Sequence, residues 1–152
     1  MITSKDYLMG RDTKYPISEE LEQNALRTVD RANMILQAFG QPREVLSGYR
    51  PAEINAKVKG AAPMSKHITC EAIDLADDDR RFGNWCMENL PWLSAYGLWM
   101  EHLAYTVEVK DSGRVVYWVH LQIVPPKSGN RVFIPRPGPP PEVPVHKRMN
   151  MH

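Results

Sequence analysis

Two imidazoles and a carboxylate are the side chains whose types and spacing could do chemistry. His67 and Asp74 stand seven residues apart, and His120 follows in the apolar run Trp118-Val119-His120. Two His and one Asp make a zinc site with one position open. Catalytic zinc uses three protein ligands plus a water, because the fourth position must be free for a hydroxide or a substrate oxygen. A closed structural site would want a fourth ligand, usually Cys, and Cys70 and Cys86 are not spaced as a zinc pair. His and Asp ligands also suit other transition metals. The chemistry implied is hydrolysis by a metal-activated water.

These residues need elements to bring them together. Glu44-Val45-Leu46 reads as a short strand delivering Ser47-Gly48-Tyr49-Arg50, and Pro51 suits the first turn of a short helix over Ala52 to Val58. Arg50 thus sits at a strand-to-helix junction, where a guanidinium either grips a carboxylate in a cleft or pairs with a nearby acid on the surface. A small-residue loop, Lys59 to Met64, precedes a strand expected from Ser65 into Ile73-Asp74-Leu75. Residues seven apart in a regular strand face opposite ways, so His67 and Asp74 share a metal only if a bulge or bend near Thr69-Cys70 breaks the alternation.

Leu98 to Val107 and Val115 to Val124 are rich in strand formers, and Lys110-Asp111-Ser112-Gly113 between them reads as a hairpin turn. With Asp111 and Ser112 at the tip, His120 lies across from Leu103 and one diagonal step from Glu101. Glu101 then faces the metal. A shift of one residue brings His102 there instead, and an edge-strand carboxylate in water is the plain alternative for Glu101.

The remaining elements read as scaffold. Met1 to Tyr15 is polar and aperiodic, an extended arm or a brief turn. Ser18 can cap a helix with Glu19 and Glu20 in its first turn, and Leu21, Ala25, Val29, Ala32, Leu36 and Phe39 form its buried stripe up to Gly40. Asp77-Asp78-Asp79 opens a helix with Phe82, Trp85, Cys86 and Leu90 turned inward; without alternating oxygen ligands and a central glycine it is not a calcium loop. Val132-Phe133-Ile134 is a possible edge segment. Beyond Pro135 a proline-rich stretch denies ladder hydrogen bonds, so a domain over residues 1–135 and a loose tail over 136–152, carrying His146 and His152, are expected.

The fold class expected is α+β, a single domain with a small antiparallel sheet packed with helices. A chain of 152 residues, 43% hydrophobic and 24% charged, suits one core. A formal net charge of +1 with interspersed signs gives no basic face for nucleic acid. No run approaches the ~20 apolar residues of a membrane span. The start lacks an apolar signal core and there are only two cysteines, so a soluble chain made in a reducing compartment without a secretory signal is expected, as a monomer.

Ser47-Gly48-Tyr49-Arg50-Pro51, then Ser65-Lys66-His67 with Glu71-Ala72-Ile73-Asp74, then Trp118-Val119-His120-Leu121-Gln122 resembles the zinc D-alanyl-D-alanine peptidase family. That family takes in carboxypeptidases, vancomycin-resistance dipeptidases and phage L-alanyl-D-glutamate endolysins, and shares a fold with the Hedgehog signalling domain. The likeness runs from about Glu44 to Gln122, and the stretches around Tyr15, Gly97 to Thr106 and Lys127 to Pro135 are most similar to small phage-borne members. The resemblance implies a peptidoglycan peptidase with Zn2+ held by His67, Asp74 and His120. It implies Arg50 binding the substrate or its oxyanion, and Ser65 supporting the site. The substrate implied is a peptidoglycan stem peptide, met after release of the protein from the cell or on a phage particle.

Two positions depart from the family pattern. Many relatives have glycine where Cys70 stands. Several branches carry Glu or Asp three residues before the last histidine, where this chain has Tyr117, and a phenol with an ordinary pKa of about 10 is not a base near neutral pH. Either Glu101 supplies the carboxylate from the adjoining strand, or the protein is an inactive zinc-containing module that binds cell wall or protein, or a structural phage component.

Overall fold

The computed structural model describes residues 1–144; the expected tail's His146 and His152 lie outside the described residues. Its helices are α1 (Ser4–Leu8), α2 (Glu19–Phe39), α3 (Ala52–Asn55), α4 (Arg81–Glu88) and α5 (Leu90–Ala95). Its strands are β1 (Val45–Ser47), β2 (Ala72–Ala76), β3 (Trp99–Glu101), β4 (Val107–Val109), β5 (Val115–Gln122) and β6 (Val132–Phe133).

Helix α2 forms as its apolar spacing requires. Ser18 Oγ accepts the Leu21 amide at 3.2 Å, acidic residues fill the first turn, and Gly40 closes the last turn in the left-handed region at φ 95°. Its face of Ala25, Val29, Ala32, Ile35 and Leu36 is buried against one side of the sheet. That side is built from alternate strand residues, Ile73 and Leu75 on β2, Val119 and Leu121 on β5, and Met100 on β3, all fully buried. Phe82, Cys86 and Leu93 of α4 and α5 complete the core, and Cys70 and Cys86 are free buried thiols.

The sheet has the order β1-β2-β5-β3-β6, with β4 paired to the first part of β5. The expectation of a wholly antiparallel sheet is corrected at one edge, because β6 returns parallel to β3. The expected arm before Tyr15 is in part a helix. Thr3 and Asp6 close a reciprocal capping box, and Tyr7, fully buried, sends its hydroxyl 2.7 Å to the Ala72 carbonyl. The helix after Pro51 ends at Asn55, sooner than Val58.

Two strand expectations fail nearer the site. Residues 65–70 form turns, closed by Ile68 N–H to Ser65 O and Glu71 N–H to Lys66 O, and the strand begins only at Ala72. The stretch from Leu98 to Val107 is two strands separated by a 3₁₀ turn, Leu103–Tyr105, where His102 Nδ1 accepts the Ala104 amide at 3.1 Å. Lys110 to Gly113 does make the β4–β5 hairpin, with Val109 opposite Val115. After β6, Arg136 stacks 5.1 Å from the Tyr105 ring and the Tyr105 hydroxyl donates to the Gly138 carbonyl at 2.7 Å.

Candidate metal centre

The face of the sheet turned away from the helices carries the polar residues. In the register of the strands Ser47 pairs with Asp74 and Asp74 with His120. Met100 pairs with Leu121, so one further step sets Glu101 level with His120, and Glu101 in turn pairs with Phe133. Ser47, Asp74, His120, Glu101 and Phe133 therefore form one row across five strands. His120 does not oppose Leu103, because the β4 hairpin register stops at the 3₁₀ turn and β3 pairs independently. Glu101, not His102, reaches the site.

His67 comes to this row from the turn above it. The bend required between His67 and Asp74 is at Cys70, whose φ of 58° places a non-glycine residue in the left-handed region. Helix α2 holds the bend in place: Asn24 Nδ2 donates to Thr69 O at 3.0 Å and Thr28 Oγ1 to Cys70 O at 2.7 Å. Both side chains are buried polar residues four apart on α2 that an apolar-stripe reading passes over.

His67, Asp74 and His120 are all buried, and one ligand atom from each lies within 4.8 Å of the other two. His67 Nε2 is 3.2 Å from Asp74 Oδ2, and His120 Nδ1 is 2.9 Å from Asp74 Oδ1. Ligand atoms at about 2.0–2.1 Å around a tetrahedral ion are separated by about 3.3 Å, close to both spacings. The outer contacts suit a metal equally. The Gly48 carbonyl can only accept, so it fixes the proton on His67 Nδ1 at 2.9 Å and leaves Nε2 as the ligand atom. Gln122 donates its amide to Val124 O, which turns Oε1 onto His120 Nε2 at 2.9 Å and leaves Nδ1 facing Asp74. Gln122 is two residues beyond His120 on the same strand face, a spacing that could have identified it; nothing in the residue types announces the Gly48 carbonyl.

Charge and burial oppose one another here. Burial alone would push the Asp74 carboxyl up, but the His67 charge and hydrogen bonds from both imidazoles hold it far below the usual carboxylate range. Burial would lower the His120 imidazole, yet Glu101, Asp74 and Gln122 raise it to about 9. An ion entering the site therefore displaces a proton. Glu101 Oε1 is 3.9 Å from His120 Nε2; burial pushes its carboxyl up, His120 pulls it back, and the net direction is up.

Arg50 is buried beside the row. Its Nη1 donates to Asn55 Oδ1 at 3.1 Å and its Nη2 to Ser47 Oγ at 3.0 Å, with Nη2 3.6 Å from Asp74 Oδ2. Ser65 Oγ accepts the His67 amide at 3.2 Å and so supports the turn from below. Tyr117, three residues before His120 and on the opposite strand face, packs under the Arg80 guanidinium at 4.9 Å. Its strand face is turned away from the metal row.

The family model described as Peptidase M15 matches residues 8–88, a span that includes Arg50, His67 and Asp74. No curated protein and no solved structure matches the chain.

Proposed function

The chain belongs to the Peptidase M15 family, and from that premise we propose that it is a zinc-dependent peptidase hydrolysing peptide bonds in peptidoglycan stem peptides, of the D,D-carboxypeptidase or L-Ala-D-Glu endopeptidase type. The observation that carries this reading is a partly buried carboxylate, Glu101, level with His120 but outside the ligand trio. Such a group is placed to handle protons rather than to bind the ion.

His67 Nε2, the Asp74 carboxylate and His120 Nδ1 would hold the metal. When bound, zinc polarises a carbonyl and lowers the pKa of water from about 15.7 toward ~7. Glu101 accepts the proton of the attacking water and returns it to the leaving amine, help typically worth about two to four powers of ten. Burial raises its carboxyl, the direction a general base for that exchange needs. Arg50, held by Asn55 and Ser47, directs its other N–H donors at a substrate carboxylate or the developing oxyanion. Removing a comparable donor elsewhere costs roughly 3 to 4 kcal/mol. Ser65 keeps His67 in place. The substrate would be met on release through a membrane lesion or from a phage particle.

The test is digestion of purified peptidoglycan with and without a chelator, with free amines counted and fragments weighed by mass spectrometry. Zinc-dependent new amines support the peptidase, and the fragment masses name the bond. Pelleting with the wall without product would make the chain a binding module, and lack of stoichiometric zinc a structural component. A Glu101→Gln protein that keeps its metal and works at full rate would remove Glu101 from the scheme.

A further inference from the structure

Arg80 is nearly fully buried and is joined to the segments on which the three site strands depend. Its Nη1 donates to the Trp118 carbonyl at 2.7 Å, two residues before His120 on β5. Its Nη2 donates to Leu103 O at 2.7 Å, Thr106 O at 2.8 Å and Thr106 Oγ1 at 2.9 Å, all in the turn that follows Glu101. Nη1 also lies 3.4 Å from Asp77 Oδ2, three residues after Asp74, and the Asp77 carboxylate is fixed by the Phe82 and Gly83 amides at 3.0 and 2.9 Å. One guanidinium thus joins β5 to the segments that follow β2 and β3.

The backbone of Arg80 shows what this arrangement requires. At the start of α4 it stands at φ 60°, a left-handed conformation in which glycine would be unstrained, and its side chain makes no cap. Strain of this kind persists only where the surroundings over-determine it. The surroundings here are the Leu103, Thr106 and Trp118 carbonyls gathered where β3 gives way to β4. A strand continuing the β3 register would set Val107 opposite Arg114, yet Val107 sits opposite Tyr117. The 3₁₀ turn absorbs that slip, and Arg80 adds a second donor to the Leu103 and Thr106 carbonyls, which already accept the Thr106 and Trp118 amides, while its other nitrogen meets the Trp118 carbonyl.

We propose that Arg80 is the positioning residue of the site: by clamping Leu103 and Thr106 to Trp118 it holds Glu101 level with His120, while the ligand trio is held by the sheet and the Cys70 bend without it. The inference rests on Glu101 as the proton carrier, and its test separates the two. Arg80→Gly relieves the backbone while deleting the clamp, and Arg80→Lys keeps the charge but not the planar fork. Misplacement on the order of 1 Å can cost about 100-fold in rate. In Arg80→Gly, kcat should fall at least about tenfold, with KM and metal affinity within about twofold of the parent. In a Glu101→Gln background the same change should alter the residual rate by less than about twofold, since the group it positions is gone.

A readout independent of turnover is amide hydrogen exchange on the metal-free protein. The Tyr105, Thr106 and Trp118 amides, bonded to His102, Leu103 and Thr106 carbonyls, should exchange at least about tenfold faster in either variant, with Asp74 and His120 unchanged. Faster exchange across the whole sheet, lost metal affinity, or an equal rate loss in the Glu101→Gln background would each overturn the proposal, and Arg80→Lys carries the same criteria if the glycine variant fails to fold. A fully active Glu101→Gln protein would instead strike at the proton carrier and leave the exchange result standing.

Discussion

The two halves of the candidate site are held by different physics. Asp74, His120 and Glu101 stand on three neighbouring strands, where the ladder register sets them side by side. His67 stands on turns, and reaches the same point only through a left-handed Cys70, a glycine carbonyl and two polar side chains of α2. A strand-borne position is shared by every hydrogen bond along the ladder and tolerates local change. A turn-borne position depends on each contact separately, so damage there should appear first as lost metal affinity.

The sharpest break on the strand side is Asp74→Ala. It removes the one carboxylate between two imidazoles and Arg50, and breaking a buried charge group typically costs about 3–5 kcal/mol. Metal content by elemental mass spectrometry should fall from stoichiometric to background, a larger loss than the ~10–100-fold of an outer-contact change. Stoichiometric metal in this variant would mean that the row is not the centre.

On the turn side the largest effect belongs to Gly48→Ala. A Cβ there would lie 2.0 Å from the Tyr7 carbonyl oxygen, which is backbone and cannot swing aside. The segment must shift, and with it the carbonyl that orients His67. Overpacking typically costs about 1–3 kcal/mol, and loss of an orienting acceptor about 10–100-fold in metal affinity. Denaturant unfolding and a chelator competition measure the two. An unchanged affinity would show that the turn is less dependent on its contacts than the strands are.

The same division governs what could be read from the residues. Helix α2 declares itself through Ser18, a periodic apolar face and Gly40, because each acts locally. The strand half was nearly as legible, since alternation puts Asp74 and His120 on the face opposite Ile73, Leu75, Val119 and Leu121. The turn half was legible only as a requirement: a bend had to exist near Cys70, but no residue type announces a left-handed cysteine. The 3₁₀ break after Glu101 was hidden because Leu103 to Val107 has strand composition, and the buried arginine that bonds its carbonyls lies more than twenty positions upstream. The return of β6 parallel to β3, and a first helix capped by Thr3 and Asp6, were hidden for the same reason, since their stabilising partners are remote or their signal is too short.

A smaller effect is expected at Thr28, whose hydroxyl meets the Cys70 carbonyl in a fully buried setting. Thr28→Val keeps the shape and removes the donor, leaving a buried acceptor unpaired at a cost of about 1–3 kcal/mol. The midpoint of urea unfolding should drop with an unchanged slope. Metal affinity should weaken, whereas an unchanged midpoint would mean that the bend is held without α2.

The smallest effect is the most discriminating, because only its sign matters. At an ordinary position alanine is more favourable than glycine, whose unfolded chain has more freedom to lose, by roughly 0.4–1 kcal/mol. Cys70 has φ 58°, where a Cβ costs about 1–2 kcal/mol that glycine avoids. Cys70→Ala and Cys70→Gly both delete a fully buried thiol, so comparing them largely cancels the lost sulfur packing and leaves the backbone preference. Glycine should then be the more stable of the two, by up to about 1 kcal/mol in urea unfolding, reversing the usual order. Alanine on top would mean that the bend between His67 and Asp74 lies elsewhere, and that the turn half of the site is held by the same regular backbone as the strand half.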